Sequence, residues 1–212
     1  MRILGLDEAG RGCVLGPLVV GGYVMEAGDD IDAAMQRLRA AGANDSKALS
    51  AKRREAARTA LAALGQHLLV EVSPAQIDAG NINALEEDAF VRLVTDLRPD
   101  RVYLDAPVAP RGIPALVARL RQRTGVTDWI VEPKADATYP VVGAASIYAK
   151  TTRDAAIDAL GVEVGSGYPS DPVTRAWLSA RLREQGPLPA CVRTRWETVE
   201  LLRQGMLFGG ER

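Results

Sequence analysis

The run Arg2-Ile3-Leu4-Gly5-Leu6 leads directly into Asp7-Glu8-Ala9-Gly10-Arg11-Gly12, which sets two adjacent acids and a glycine-flanked arginine at one strand end. Neighbouring residues on a regular strand point to opposite faces. Both carboxylates therefore serve one site only if the strand is ending and Gly10 and Gly12 let the backbone turn. Such an end suits a hard cation and a phosphate. Residues 15–25 are apolar, with Gly16, Pro17, Gly21 and Gly22 as punctuation, and read as a strand paired with residues 2–7.

Beyond this pair, strands and helices alternate. Helices are predicted over 29–40 and 50–64, the second capped by Ser50, followed by a strand over 67–73 and an amphipathic helix over 82–97. A strand over 101–105, a helix over 113–123 and a strand over 128–132 come next. The alternation then stops, and 139–160, 172–184 and 197–203 all read as helices. The expected fold class is α/β, a mixed sheet flanked by helices. Residues 1–160 form the expected catalytic domain, with a helical extension packed on it from about residue 161.

Two more acids sit beside strand-like runs. Asp105 ends Arg101-Val102-Tyr103-Leu104, where a buried carboxylate needs a base, hydrogen bonds or a metal to offset its charge. Asp136 follows Glu132-Pro133-Lys134-Ala135, a place that also suits an acid satisfying the free N–H groups of a helix start. The only histidine, His67, lies in an apolar strand run and reads as a packed or edge side chain. No histidine base, Ser-His triad or histidine zinc site is therefore expected.

With 47% hydrophobic residues among 212, the chain can build one large α/β core. It has no long uninterrupted apolar run and no signal peptide, since the amino terminus opens into a strand, so a soluble, cytoplasmic protein is expected. Cys13 and Cys191 are too few and too far apart for a disulfide framework or a cysteine zinc site. Net charge is -1, so positive charge can only be local. It gathers at Lys47, Lys52, Arg53, Arg54 and Arg58, at Lys134, Lys150 and Arg153, and at Arg193 and Arg195. Arg54 and Arg58 read as solvated helix surface.

Six stretches occur in an order that resembles ribonuclease HII, the type 2 ribonuclease H family. They are DEAGRG at 7–12, DSK at 45–47, YLDAP at 103–107, KAD at 134–136, YPVVGAASIYAK at 139–150 and GSGYPSDP at 165–172. The last of these, together with RTRW at 193–196, resembles archaeal rather than bacterial members. The resemblance implies a ribonuclease H-like fold and four catalytic, metal-binding carboxylates, Asp7, Glu8, Asp105 and Asp136. Oxygen ligands of this kind suit Mg²⁺ or Mn²⁺, and two ions could activate a water and stabilise the leaving oxygen.

The implied activity is hydrolysis of the RNA strand in RNA/DNA hybrids and cutting 5′ of ribonucleotides embedded in duplex DNA, leaving 3′-hydroxyl and 5′-phosphate ends. Ribonucleotide excision repair and DNA replication are its implied settings. In the family the backbone at the positions of Gly10, Arg11 and Gly12 reads the 2′-hydroxyl, the group that separates ribose from deoxyribose. Tyr168 matches the tyrosine that stacks on the deoxyribose after a ribonucleotide. Asn44, Ser46, Lys47, Ser146 and Lys150 resemble phosphate contacts, with Lys134 a further candidate, while Gly143 replaces a serine that many members carry. In the tail, Gln204 and Leu207 have the first spacing of a sliding-clamp motif, but Gly210 and Glu211 stand where it wants bulky residues. A monomer without clamp binding is expected. Two other readings stay open: a catalytically silent hybrid-binding module, and a phosphotransferase with Asp7 or Asp105 as nucleophile.

Overall fold

Five strands, β1 (Arg2–Ala9), β2 (Leu18–Glu26), β3 (Gln66–Val72), β4 (Arg101–Asp105) and β5 (Asp128–Glu132), form one sheet in the computed structural model, which describes residues 1–43 and 50–208. The strand order is β3-β2-β1-β4-β5. β1 runs antiparallel to β2 and parallel to β4, and β4 runs parallel to β5, so the sheet is mixed. Each parallel step needs a long crossover, and helices supply it.

The helices are α1 (Ile31–Ala40), α2 (Ala51–Ala62), α3 (Pro74–Ala79), α4 (Ile82–Leu97), α5 (Ile113–Thr124), α6 (Ala135–Thr138), α7 (Pro140–Asp158), α8 (Pro172–Arg183) and α9 (Glu197–Phe208). Their starts follow the sequence chemistry. Asp30 accepts from the N–H of Ala33, Ser50 from Arg53 and Asp171 from Val173, each satisfying a donor with no partner inside its helix. Ser73 and Gln76 form a reciprocal capping box that opens α3. At six and four residues, α3 and α6 are too short for an apolar period to reveal, although the Ser-x-x-Gln spacing marks the first of them.

The chain divides into two compact units: Met1–Ala9, Val19–Val70 and Glu86–Thr151 in one, and Gly10–Leu18, Glu71–Leu85 and Thr152–Arg212 in the other. Within the second, Val14, Leu15, Ile157, Val164, Leu178, Val192 and Val199 form a core, with Leu15 bridged to Val192. The carboxyl-terminal helices therefore share a core with a short stretch from near the amino terminus.

In the first unit β2 is buried along nearly its whole length and β1 from Ile3 to Asp7, as central strands covered on both faces are. Glycines set the distance to α7. A Cβ on Gly5 would collide with the backbone carbonyl of Val141 and lie 2.6 Å from the nitrogen of Val142. One on Gly21 would lie 2.6 Å from the carbonyl oxygen of Ala145. Gly21 is therefore no strand break; it lets α7 seat its backbone directly on the sheet. Around this contact pack Ile3, Tyr23, Tyr103, Val142 and Tyr148. His67 stacks on Tyr148 with ring centroids 3.8 Å apart, which accounts for it as a packing residue. Arg58 is not simply solvated, since its guanidinium lies 5.3 Å from the same ring.

Because backbone cannot yield as a side-chain tip can, Gly5→Ala is expected to cost about 1–3 kcal/mol or more and lower Tm by roughly 5 °C. Gly186→Ala, whose added methyl meets nothing within 4 Å, should leave Tm nearly unchanged. Thermal melts of the two variants check this.

Candidate active site

Leu6 pairs with Leu104, so Asp7 and Asp105 are the next residues along two parallel strands and emerge on the same face. The chain leaving β5 turns at Lys134, whose left-handed backbone (φ 61°) swings it into α6. That turn brings the N–H of Ala135 to Asp105 Oδ1 at 3.1 Å and places Asp136 beside the strand ends. One carboxylate oxygen from each of Asp7, Asp105 and Asp136 lies within 4.8 Å of the other two. Three acids that are distant in sequence thus converge.

Asp7 and Asp136 are only 5% and 3% exposed. Burial lifts the Asp7 carboxyl to about 7, and the nearby charges of Asp105 and Asp136 push the same way. A hydrogen bond from Ser146 on α7 and the N–H of Glu8, at 2.8 Å, oppose the rise. A largely buried cluster of mutually repelling hard oxygens is the donor set that a divalent, oxygen-preferring ion relieves.

Glu8 is placed differently. β1 does not end at Asp7: it stays paired through Ala9, with Glu8 half-buried opposite Val20. Among the described residues no cluster of three potential ligands includes it. The strand thus runs two residues further than expected, and the backbone turns at Gly10, one of the two glycines expected to turn it.

The second unit holds the glycine-flanked arginine. Gly10 has a left-handed backbone (φ 83°), and a Cβ there would lie 2.6 Å from the carbonyl oxygen of Pro17. Arg11 hydrogen-bonds the side chain of Asn83. A Cβ on Gly12 would stand 4.0 Å from the ring of Tyr168, so loop and tyrosine are neighbours. The N–H groups of Val14 and Leu15 both reach the carbonyl of Gly167, at 2.8 and 3.2 Å. Asp171 fixes the tyrosine loop by accepting from the N–H of Ser166, and its hydrogen bonds hold its carboxyl near 2. Arg153, 3% exposed, lies over the Tyr168 ring at 5.3 Å and contacts Cys13 Sγ at 3.1 Å. Cys13 and Cys191 are not disulfide-bonded.

Of the other expected contacts, Lys134 is exposed, Lys150 half-buried and Ser146 buried against Asp7. Asn44, Ser46 and Lys47 lie outside the described residues, as do Gly210 and Glu211 of the tail. In the sequence Arg153 and Arg193 read as local positive charge, Arg193 also as part of the RTRW stretch. Both are interior residues of the second unit, and no spacing rule marks an arginine as buried.

The Asp7 shift has a pH consequence for the metal-free protein. Its folded value, near 7, lies above the ordinary 3.8, so between these the folded state binds the extra proton. Stability is therefore greatest on the acid side of this window and falls as pH rises from about 4 to about 7. Asp7→Asn should flatten that decline and melt above wild type at pH 8 in chelator. Adding Mn²⁺ at pH 8 should raise the wild-type Tm and leave the variant nearly unmoved. Melting curves across pH with and without Mn²⁺ decide it.

Residues 4–199 match the family model described as Ribonuclease HII. A Ribonuclease HII from Pyrococcus horikoshii is 40% identical, over 96% of this chain and 94% of its own. One from Archaeoglobus fulgidus is 40% identical over 96% and 97%. Among solved structures, the ribonuclease H2 of Pyrococcus horikoshii superposes with a TM-score of 0.86 at 37% identity, covering 98% of this chain and 100% of that one. The RNase HII in the PCNA complex from Archaeoglobus fulgidus gives 0.83 at 39%, covering 95% and 97%. With its mixed sheet, its flanking helices and its three converging aspartates, the chain belongs to the ribonuclease HII family, endonucleases that hydrolyse phosphodiester bonds.

Proposed function

We propose that this chain cuts the RNA strand of RNA/DNA hybrids and the 5′ side of ribonucleotides embedded in duplex DNA, leaving 3′-hydroxyl and 5′-phosphate ends. The observation that carries the reading is the convergence of buried Asp7 and Asp136 and half-buried Asp105 within 4.8 Å, beside strand ends of a ribonuclease H-like sheet. These three, with Glu8 as a fourth carboxylate, would hold two Mg²⁺ or Mn²⁺ ions. Such ions, when bound, supply the positive charge that acidifies a water and offsets charge on a leaving oxygen.

The rest of the work falls to the chain's own groups. Ser146 donates to Asp7 and so orients that carboxylate, a use its burial favours over direct contact with phosphate. The backbone of Gly10, Arg11 and Gly12 reads the 2′-hydroxyl, and Tyr168 packs against the sugar that follows. Lys134, Lys150, Asn44, Ser46 and Lys47 hold the phosphate backbone without reading sequence. Residues 1–160 carry the chemistry and 161–212 form an extension that contributes to substrate recognition. The protein acts as a monomer. The Archaeoglobus fulgidus relative was solved in a complex with PCNA, but Gly210 and Glu211 break the clamp-motif pattern here, so clamp binding is no part of the reading.

The intact acid cluster disfavours a silent binding module. A phosphotransferase needs one aspartate as a nucleophile, and clustering with two other acids suits metal binding better. Among the described residues no helix is long and apolar enough to cross a membrane.

Asp105→Asn keeps the shape and loses the charge, so kcat should fall by roughly two orders of magnitude or more, as when other stabilisers of transition-state charge are removed. Duplex binding and fold should persist. A gel assay on a duplex with one ribonucleotide, in Mg²⁺, Mn²⁺ and chelator, tests both the metal requirement and the cut position. A near-normal rate in the variant would remove Asp105 from the site.

Tyr168→Ala should lose more kcat/KM on a single embedded ribonucleotide than on a continuous hybrid, where the next sugar carries a 2′-hydroxyl that already spoils the fit. Equal losses under one salt and metal condition would make the ring a loop support.

A further inference from the structure

The Arg193 side chain is 0% exposed and directs its guanidinium at three carbonyls of a single loop. Nε donates to Gly16 O at 3.0 Å, Nη1 to Arg11 O at 2.9 Å and Nη2 to Gly10 O at 2.6 Å. A rigid planar fork suits such a task, because its donors diverge at fixed angles that a lysine cannot reproduce. Trp196 stacks on the guanidinium at 5.0 Å. Burial draws the group down to about 10, which still leaves it charged at neutral pH. Its neighbour Asp78 is engaged elsewhere, accepting from the N–H and hydroxyl of Thr194 and from the N–H of Arg195. The buried charge is thus met chiefly by peptide dipoles.

Direction follows from peptide geometry. In a trans peptide the carbonyl of one residue and the N–H of the next point in opposite senses, and the described chain has no cis bond. Drawing the Gly10 and Arg11 carbonyls onto Arg193 therefore turns the N–H groups of Arg11 and Gly12 away from it. The N–H of Cys13 closes the turn on Gly10 O at 3.3 Å. Two successive amides with a common outward direction make a donor pair for an oxygen, next to a glycine that leaves the approach to Tyr168 open.

We infer that Arg193 is a positioning residue for ribose recognition: it presets the Arg11 and Gly12 amides so that a 2′-hydroxyl oxygen meets two aligned donors. This rests on the reading that residues 10–12 contact the 2′-hydroxyl. Arg193 touches no substrate in this account and acts through the loop it holds.

The test compares binding of two otherwise identical duplexes, one with a single ribonucleotide and one all DNA. It uses wild type, Arg193→Gln and Arg193→Lys in Ca²⁺, with gels verifying that the duplex stays uncut. Wild type should prefer the ribonucleotide. Both variants should lose about tenfold of that preference, the scale of one misdirected hydrogen bond, with all-DNA affinity and the Mn²⁺-induced rise in Tm unchanged. A folded variant that keeps the wild-type preference overturns the inference, and so does equal weakening on both duplexes, which marks a merely structural arginine. If wild type itself shows no preference, the reading of residues 10–12 fails and the inference falls with it. Should the glutamine variant not fold, the lysine variant, which keeps a charge in the same place, decides.

Discussion

Backbone-to-backbone contact between α7 and the two central strands is the constraint on which the first unit depends. It exists because Gly5 and Gly21 carry no side chain where α7 crosses β1 and β2. An ordinary helix-on-sheet layer leaves room for two sets of side chains, whereas here the helix comes in closer by about the depth of one. Two consequences follow. Ser146 on α7 reaches Asp7 on β1, and the Tyr148 ring stacks near Tyr23, with centroids 6.0 Å apart, to close the core beside it. The seat of Asp7 is thus made by the packing that buries it.

Burial and function pull in opposite directions at that seat. Desolvation raises the cost of a charged Asp7, and Asp105 and Asp136 raise it further, so without a cation the cluster is a source of instability. The second unit places buried charge of the opposite sign. Arg153 and Arg193 spend their donors mainly on backbone carbonyls and a thiol, and in doing so fix two loops. In each unit the interior charge is gathered rather than scattered: three aspartates converge in the first, and in the second the arginines bond main-chain carbonyls of two loops.

Much of this could be read from the sequence. Runs with clear period, such as α4 at Ile82–Leu97 and β4 at Arg101–Asp105, fall where apolar spacing put them, because burial on one face leaves a repeating mark. Asp105 and Asp136 drew notice as acids beside apolar runs, and the resemblance to a known family supplied their grouping. Other features left no local mark. Gly21 reads as punctuation until α7 is seen lying against it. Arg193 reads as local positive charge until the 10–16 loop closes round it. The pairing of Glu8 with Val20 depends on how far β1 stays bonded to β2, which short-range spacing does not reveal. The two-unit division joins stretches far apart in the chain, where a reading along the sequence finds only one boundary.

The central claim is that the sheet and α7 hold Asp7, Asp105 and Asp136 as a ready-made cation site. The most direct measurement is a crystal structure soaked in Mn²⁺, with anomalous scattering to locate the ions. Density bonded to oxygens of all three aspartates, with the sheet and α7 unmoved, is the expected result. Manganese bound elsewhere, or bound here only after the strands and α7 rearrange, would contradict it.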